Sequence, residues 1–201
     1  MKKLLLKGFE PFLGFPINPT EKIVSALSGE SIGNNKIFGL LLPVDYSLSY
    51  KIILEKIKEL NPDVVVSLGL AAGRKSITPE RIAINCRDGA ADNNGVVLED
   101  APIIEDGPDG YFSSLPIRSM VHTLKEKGYP AEISNTAGTY LCNNIMYSVL
   151  HELSLAGKPI PAGFIHIPAS HELVVAGKKA MPSWSDSDLL EAVKVAISVI
   201  E

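Results

Sequence analysis

The chain carries two cysteines, Cys86 and Cys142, and the second stands where a thiol would be activated. A short strand expected over residues 131–134 leads into Asn135-Thr136-Ala137-Gly138-Thr139-Tyr140-Leu141-Cys142-Asn143-Asn144. Ile145, Met146, Val149, Leu150 and Leu153 then recur at helical spacing, which puts Cys142 on a helix's first turn. Unpaired amides and the positive end of the helix dipole favour a thiolate there. The same amides could bind the oxyanion formed when a carbonyl is attacked. Gly138 and its small neighbours would let a substrate come close to the backbone. The competing reading is a buried structural cysteine, the common fate of a free thiol.

Two further residues could complete such a site. His166, in Phe164-Ile165-His166-Ile167-Pro168, points opposite to Ile165 and Ile167 on an expected strand and lies just before the proline that ends it. Open α/β sheets bind ligands at the C-terminal ends of strands; a core histidine satisfied by backbone is the alternative. Glu80, in Thr78-Pro79-Glu80-Arg81-Ile82-Ala83-Ile84-Asn85, is expected on an extended segment that it shares with Ile82 and Ile84 on one face. That would partly desolvate it, whereas a solvated Glu80 paired with Arg81 is the bland reading. Nucleophile, general base and a group that orients the base are the parts of a thiol hydrolase.

Other stretches offer less. The turn at residues 69–74 is glycine-rich, yet it lacks both the phosphate-loop lysine and the dinucleotide fingerprint. The acidic loop at residues 88–95 does not have calcium-site spacing. No metal and no cofactor is expected. His122 reads as a surface residue.

The surrounding pattern says what must position these groups. Strands are expected over residues 4–6, 37–42, 63–68, 131–134 and 163–168. Helices are expected after Thr20, Ser47, Pro116 and Ser185 as well as at Cys142. Between the first strand and first helix, the Gly- and Pro-rich segment 8–19 holds Phe9, Phe12 and Phe15, either a plug over the core or a wall of an apolar pocket. Alternating strands and helices without a repeat or linker predict an α/β fold, a three-layer α/β/α sandwich, with residues 1–201 as one domain. At 201 residues and 46% hydrophobic, the chain can build one sizeable core. A net charge of -4 and pI near 5.6 argue against a nucleic-acid partner. The basic start precedes an apolar run too short for a signal peptide, and nothing has the length of a membrane span. A soluble, intracellular protein with reduced thiols is expected.

These residues carry a family resemblance. Gly8-Phe9-Glu10-Pro11-Phe12, Pro79-Glu80-Arg81-Ile82-Ala83-Ile84-Asn85, the cysteine turn and Phe164-Ile165-His166-Ile167-Pro168 resemble, in order along nearly the whole chain, the motifs of pyroglutamyl peptidase type I. The resemblance implies a phosphorylase/hydrolase-like sandwich with a mixed, mostly parallel sheet, a homotetramer and a cytoplasmic location. It implies a cysteine exopeptidase that removes an N-terminal pyroglutamyl (5-oxoproline) residue from peptides through a thioester, with Glu80, Cys142 and His166 as its triad. The ring pocket it implies uses Phe9, Phe12 and Tyr140, with Asn18, Leu70 and Leu141 in the same region. Leu70 stands where the family commonly has glutamine, and Tyr140 where it has phenylalanine. The loop at residues 87–92 also departs from the family pattern. A phosphate-binding transferase using residues 69–73 and a binding module without turnover are the other readings.

Overall fold

The computed structural model describes residues 1–178 and 180–201. Along the chain run β1 (Lys2–Phe9), α1 (Pro19–Leu27), β2 (Ser31–Ile32), β3 (Asn35–Leu42), α2 (Ser49–Leu60), β4 (Val64–Leu70), β5 (Thr78–Pro79) and β6 (Ile82–Ile84). There follow β7 (Gly110–Phe112), α3 (Ile117–Glu126), α4 (Leu141–Leu155), β8 (Ala162–Ile167), β9 (Ala169–Ser170), α5 (His171–Gly177), β10 (Ser183–Trp184) and α6 (Asp186–Ser198). The main sheet has six strands in the order β2-β3-β1-β4-β8-β5. β3, β1, β4 and β8 are parallel, while β2 and β5 pair antiparallel at its edges.

The run Val64-Val65-Val66 in β4 is buried on both faces because helices cover both sides of the sheet. Leu4, Leu6, Val64, Val66, Ile165 and Ile167 pack with apolar residues of α1, α3 and α6. Leu5, Phe9, Val65 and Phe164 pack on the other face with α2 and α4. The result is the expected three-layer sandwich, and the parallel strands all end at one rim, where Phe9, Leu70 and Ile167 sit.

Several local expectations change. Asn18, not Thr20, caps α1: its Oδ1 accepts the Thr20 amide at 3.1 Å, and Pro19 occupies the first helical position. Thr20 instead closes the preceding loop, with its Oγ1 accepting the Phe9 amide at 3.0 Å. Ser47 does not cap α2; the Asp45 carboxylate accepts the amides of Ser47 and Leu48. Residues 131–134 form no continuous strand, only isolated bridges from Ala131 to Ile77 and from Ser134 to Glu80. The expected common face of Glu80, Ile82 and Ile84 is also absent. The segment breaks at Arg81 into β5 and β6, so Glu80 and Ala83 are buried while Ile84 is exposed. β6 leaves the main sheet to pair with β7, and one alternating strand cannot serve both sheets.

Candidate active site

The cysteine turn is held by its own side chains. Ser134 Oγ donates to the Thr136 carbonyl at 3.0 Å, and Thr136 Oγ1 accepts the Gly138 amide at 3.0 Å. Gly138 has φ 76°, a left-handed conformation that glycine adopts without strain. The chain then enters α4 through Tyr140, which is extended and gives no side-chain cap. The Asn144 amide donates to the Tyr140 carbonyl, so the amides of Leu141, Cys142 and Asn143 have no partner within the helix. Cys142, 9% exposed, is the second residue of α4. Asn143 clamps β6 beneath the turn, accepting the Ile84 amide and donating to the carbonyls of Ile84 and Cys86.

Glu80 and His166 reach this turn from the sheet. The Glu80 amide donates to the Phe164 carbonyl, and the Ser134 amide to the Pro79 carbonyl, so Glu80 is stitched between β8 and the segment before the cysteine. His166 pairs with Gly69 of β4 on one side and Thr78 of β5 on the other. Its Nδ1 lies 2.7 Å from Glu80 Oε1. A carboxylate there accepts a hydrogen bond from Nδ1–H, so Nε2 is the ring nitrogen left to exchange a proton with Cys142. Burial of the ring lowers its affinity for a proton. The sulfur of Cys142 and then Glu80, each by charge and by hydrogen bonding, outweigh that loss, and the His166 pKa lies above 6.5.

Gly69 makes this approach possible. A Cβ at residue 69 would sit 2.6 Å from the Phe164 ring and 2.9 Å from Cys142 Sγ, so any side chain would push the sulfur or the ring aside. The glycine-rich turn is thus a packing feature beside the thiol, and the guanidinium that follows it is committed elsewhere. Arg74 Nη1 donates to Glu80 Oε1 at 2.7 Å and to Thr78 Oγ1 at 2.6 Å, and Nη2 donates to the Thr136 carbonyl at 3.3 Å. Glu80 Oε2 is buried without a hydrogen-bond partner among the described residues.

Beside the sulfur, Phe9, Phe12, Val44, Tyr140, Leu141 and Cys142 line a narrow apolar cleft with a cavity volume of about 10 Å³, room for roughly one water molecule. Phe12 and Tyr140 stack across it with ring centroids 6.2 Å apart, and Tyr46 meets Tyr140 edge to face. The Tyr140 hydroxyl donates to the Ala91 carbonyl at 2.9 Å, and burial, followed by the charges of Asp92 and Cys142, pushes its pKa up to about 12. Of the pocket residues expected from the sequence, Phe9, Phe12, Tyr140 and Leu141 line this cavity and Asn18 and Leu70 do not. Asn18 is fully buried at the start of α1, where its amide group donates to the Glu10 carbonyl and so shapes the aromatic loop. Leu70 packs with Leu173, Ala169 and the outer aromatics Phe12 and Phe15, so it supports the wall from behind. Arg87 turns away to the carbonyls of Pro102 and Ile103. No hydrogen bond joins the Cys86 thiol to a base among the described residues. His122 is exposed and pairs with Glu126.

Two charged residues at the site escaped sequence reasoning. Arg74 was hidden in a turn judged by its glycines, although it stands only six residues before its partner. Lys7 is completely buried, and the signal was a lone lysine in the apolar run Leu4-Leu5-Leu6-Lys7. Strand alternation turns it to the face of Leu5 and Phe9, the face that α4 covers.

Comparison with known proteins adds to this geometry. A family model of pyroglutamyl peptidase matches residues 2–201. The pyrrolidone-carboxylate peptidase of Oceanobacillus iheyensis is 51% identical over 201 residues, 100% of both chains. That of Pyrococcus furiosus is 45% identical, covering 98% of this chain and 97% of its own. The solved pyrrolidone carboxyl peptidase of Thermococcus litoralis superposes with a TM-score of 0.95 at 40% identity, covering 100% of this chain and 93% of its own. Likeness in sequence and in backbone therefore extends over the same near-complete length, and the chain belongs to the pyroglutamyl peptidase family of hydrolases.

Proposed function

We propose that this protein is a cysteine exopeptidase that removes an N-terminal pyroglutamyl residue from peptides, with Cys142 as nucleophile, His166 as general base and acid, and Glu80 as the group that orients the imidazole. The observation that carries this reading is the 2.7 Å contact of His166 Nδ1 with buried Glu80, on a ring that adjoins the Cys142 sulfur beside an apolar cavity.

In the first step His166 Nε2 takes the Cys142 proton and Sγ bonds to the pyroglutamyl carbonyl carbon. The oxyanion is received by free amides at the start of α4, those of Leu141 and Cys142 being the nearest in the chain. As the tetrahedral intermediate collapses, the C–N bond breaks and the leaving amine takes the proton from His166, leaving a thioester on Cys142. Water then gives a proton to His166 and adds to the thioester carbonyl. Release of pyroglutamate restores the thiol. Once the stacked rings of Phe12 and Tyr140 part, the apolar slot between them suits a pyroglutamyl ring, which is flat, compact and uncharged. A free amino terminus would carry an ammonium into an apolar slot, at a cost of several kcal/mol.

The test is hydrolysis of a fluorogenic pyroglutamyl amide. Cys142→Ala should lower kcat/KM by about 10⁴-fold or more, as loss of a nucleophile does, whereas Cys86→Ser should keep most activity. The reverse pattern would move the nucleophile to Cys86. The same family reading carries the homotetramer and a reducing, cytoplasmic setting. Exposed Ile84 and Phe112 on the β6–β7 pair and two free cysteines support these points. Light scattering should then give four times the chain mass.

A further inference from the structure

We propose that Lys7 is a positioning residue that faces Cys142 from beneath the site and, as an ammonium, holds its sulfur in the thiolate form. The inference rests on the reading of Cys142 as nucleophile and adds a charge to that site which the three proposed catalytic groups do not supply.

A lysine is rarely buried without an anion, since taking an unpaired ammonium out of water forfeits its hydration with nothing in return. Lys7 is 0% exposed on the central strand β1. Its Nζ has one long hydrogen bond, 3.4 Å to the Leu68 carbonyl, and makes no ion pair with a carboxylate among the described residues. Two aromatic faces receive it: the Phe9 ring centroid at 3.4 Å and that of Phe164 at 4.4 Å. Such faces attract a cation through the ring quadrupole, which helps to hold the charge and falls short of a full counter-ion. An ionisable group lies beyond Phe164. That ring is 4.8 Å from the His166 ring, and its edge closes on Gly69 from the same side as Cys142 Sγ. Lys7 and the Cys142–His166 pair therefore share one aromatic partner.

The groups around Lys7 can be named element by element. β1 itself offers Phe9, β4 the Leu68 carbonyl and β8 Phe164, behind whose ring stands the titratable His166, while α4 offers the thiol of Cys142. Glu80 is held on the far side of His166, at Nδ1. Cys142 is accordingly the acid whose charge bears on Lys7: burial drives the lysine pKa well below 10.5, and the sulfur opposes that fall. Coupling between two groups is reciprocal, so an ammonium that gains from the thiolate must favour the thiolate to the same extent.

The experiment reads the sulfur directly. In a Cys86→Ser background, the rate of Cys142 alkylation by iodoacetamide is followed against pH for the parent, Lys7→Met and Lys7→Gln. Methionine keeps the length without polarity, and glutamine keeps a donor for the Leu68 carbonyl without charge. Both should move the alkylation midpoint up by about one pH unit, a roughly tenfold slower reaction on the acid side. Lys7→Arg, which keeps the cation, should return the midpoint toward the parent. Midpoints unchanged in both neutral variants overturn the proposal. A check independent of folding uses the parent itself: once Cys142 is alkylated, the Lys7 Nζ nitrogen resonance should move to the neutral-amine position. A resonance that stays in place also overturns it. Pyroglutamyl amide hydrolysis is assayed alongside. Alkylation of Cys142 that leaves hydrolysis intact would defeat the active-site reading, while an unmoved midpoint defeats only the lysine–thiolate pair.

Discussion

Arg74 Nη1 lies 2.7 Å from Glu80 Oε1, the same carboxylate oxygen that His166 Nδ1 approaches at 2.7 Å. One oxygen thus takes both a fixed cation and the imidazole, and the guanidinium ties Glu80 to the cysteine turn through the Thr136 carbonyl. Arg74→Met should let the carboxylate swing and cost on the order of 10²-fold in kcat, the scale of a misplacement near 1 Å, with KM little changed. Steady-state kinetics on a pyroglutamyl amide check this. A fall confined to KM would instead place Arg74 in substrate binding.

The His166 pKa above 6.5 has a stability consequence with a definite sign. Folded His166 keeps its proton to higher pH than it does in the unfolded chain. The stabilisation is therefore complete below 6.5 and is lost as pH rises through the raised folded value. In urea titrations, the stability gap between the parent and His166→Gln should be wider at pH 6 than at pH 9. A gap that widens with pH would contradict the pairing of the imidazolium with Cys142 and Glu80.

Lys7 works in the opposite sense, because burial depresses a base. Between its lowered folded value and 10.5 the unfolded chain binds a proton that the folded chain does not, so stability rises with pH across that window. Lys7→Met, which removes the desolvation cost of the buried ammonium and leaves Cys142 free to stay a neutral thiol, should consequently stabilise the fold at neutral pH. That advantage should shrink as pH approaches 10.5. Calorimetric Tm values at neutral pH and at pH above 10 measure both effects. A lower Tm at neutral pH would show that the lysine stabilises the fold, contrary to this expectation.

Tyr140 joins the cavity wall to the loop at residues 88–95 through its hydroxyl contact with the Ala91 carbonyl. Tyr140→Phe keeps the stack with Phe12 and loses that bond, worth about 1 kcal/mol, or roughly 2–4 °C in Tm for a chain of this size. Turnover should survive, since neither the sulfur nor the imidazole loses a partner, while the looser wall should raise KM. Thermal melts and KM for the fluorogenic amide decide the matter. Loss of kcat at constant KM would mean that the hydroxyl acts on the chemistry itself.

Much of this architecture is legible in the chain because it depends on near neighbours. Helical periodicity after Cys142 puts the thiol on a first turn, the apolar run in β4 implies a strand covered on both faces, and Pro168 marks His166 as the end of a strand. Ser185 caps α6 as its type suggests, accepting the Asp188 amide. The capping of α1 was misread by two positions because Asn18 and Thr20 can both accept an amide, and only the burial of Thr20 against Phe9 separates them.

What the tertiary structure decided lies between distant segments. Glu80 is buried because the chain breaks at Arg81 and lays it between β8 and the turn before Cys142, not because two isoleucines flank it. Arg74 finds Glu80, and Lys7 finds the rings of Phe9 and Phe164, only once the parallel strands are in register. Residue type and spacing report what a side chain can do and which way it leaves its own backbone. Charge pairing and desolvation depend on what lies within a few ångströms, and where Leu4 of β1 pairs with Val64 of β4, and Val65 of β4 with Ala162 of β8, only the folded packing supplies those neighbours.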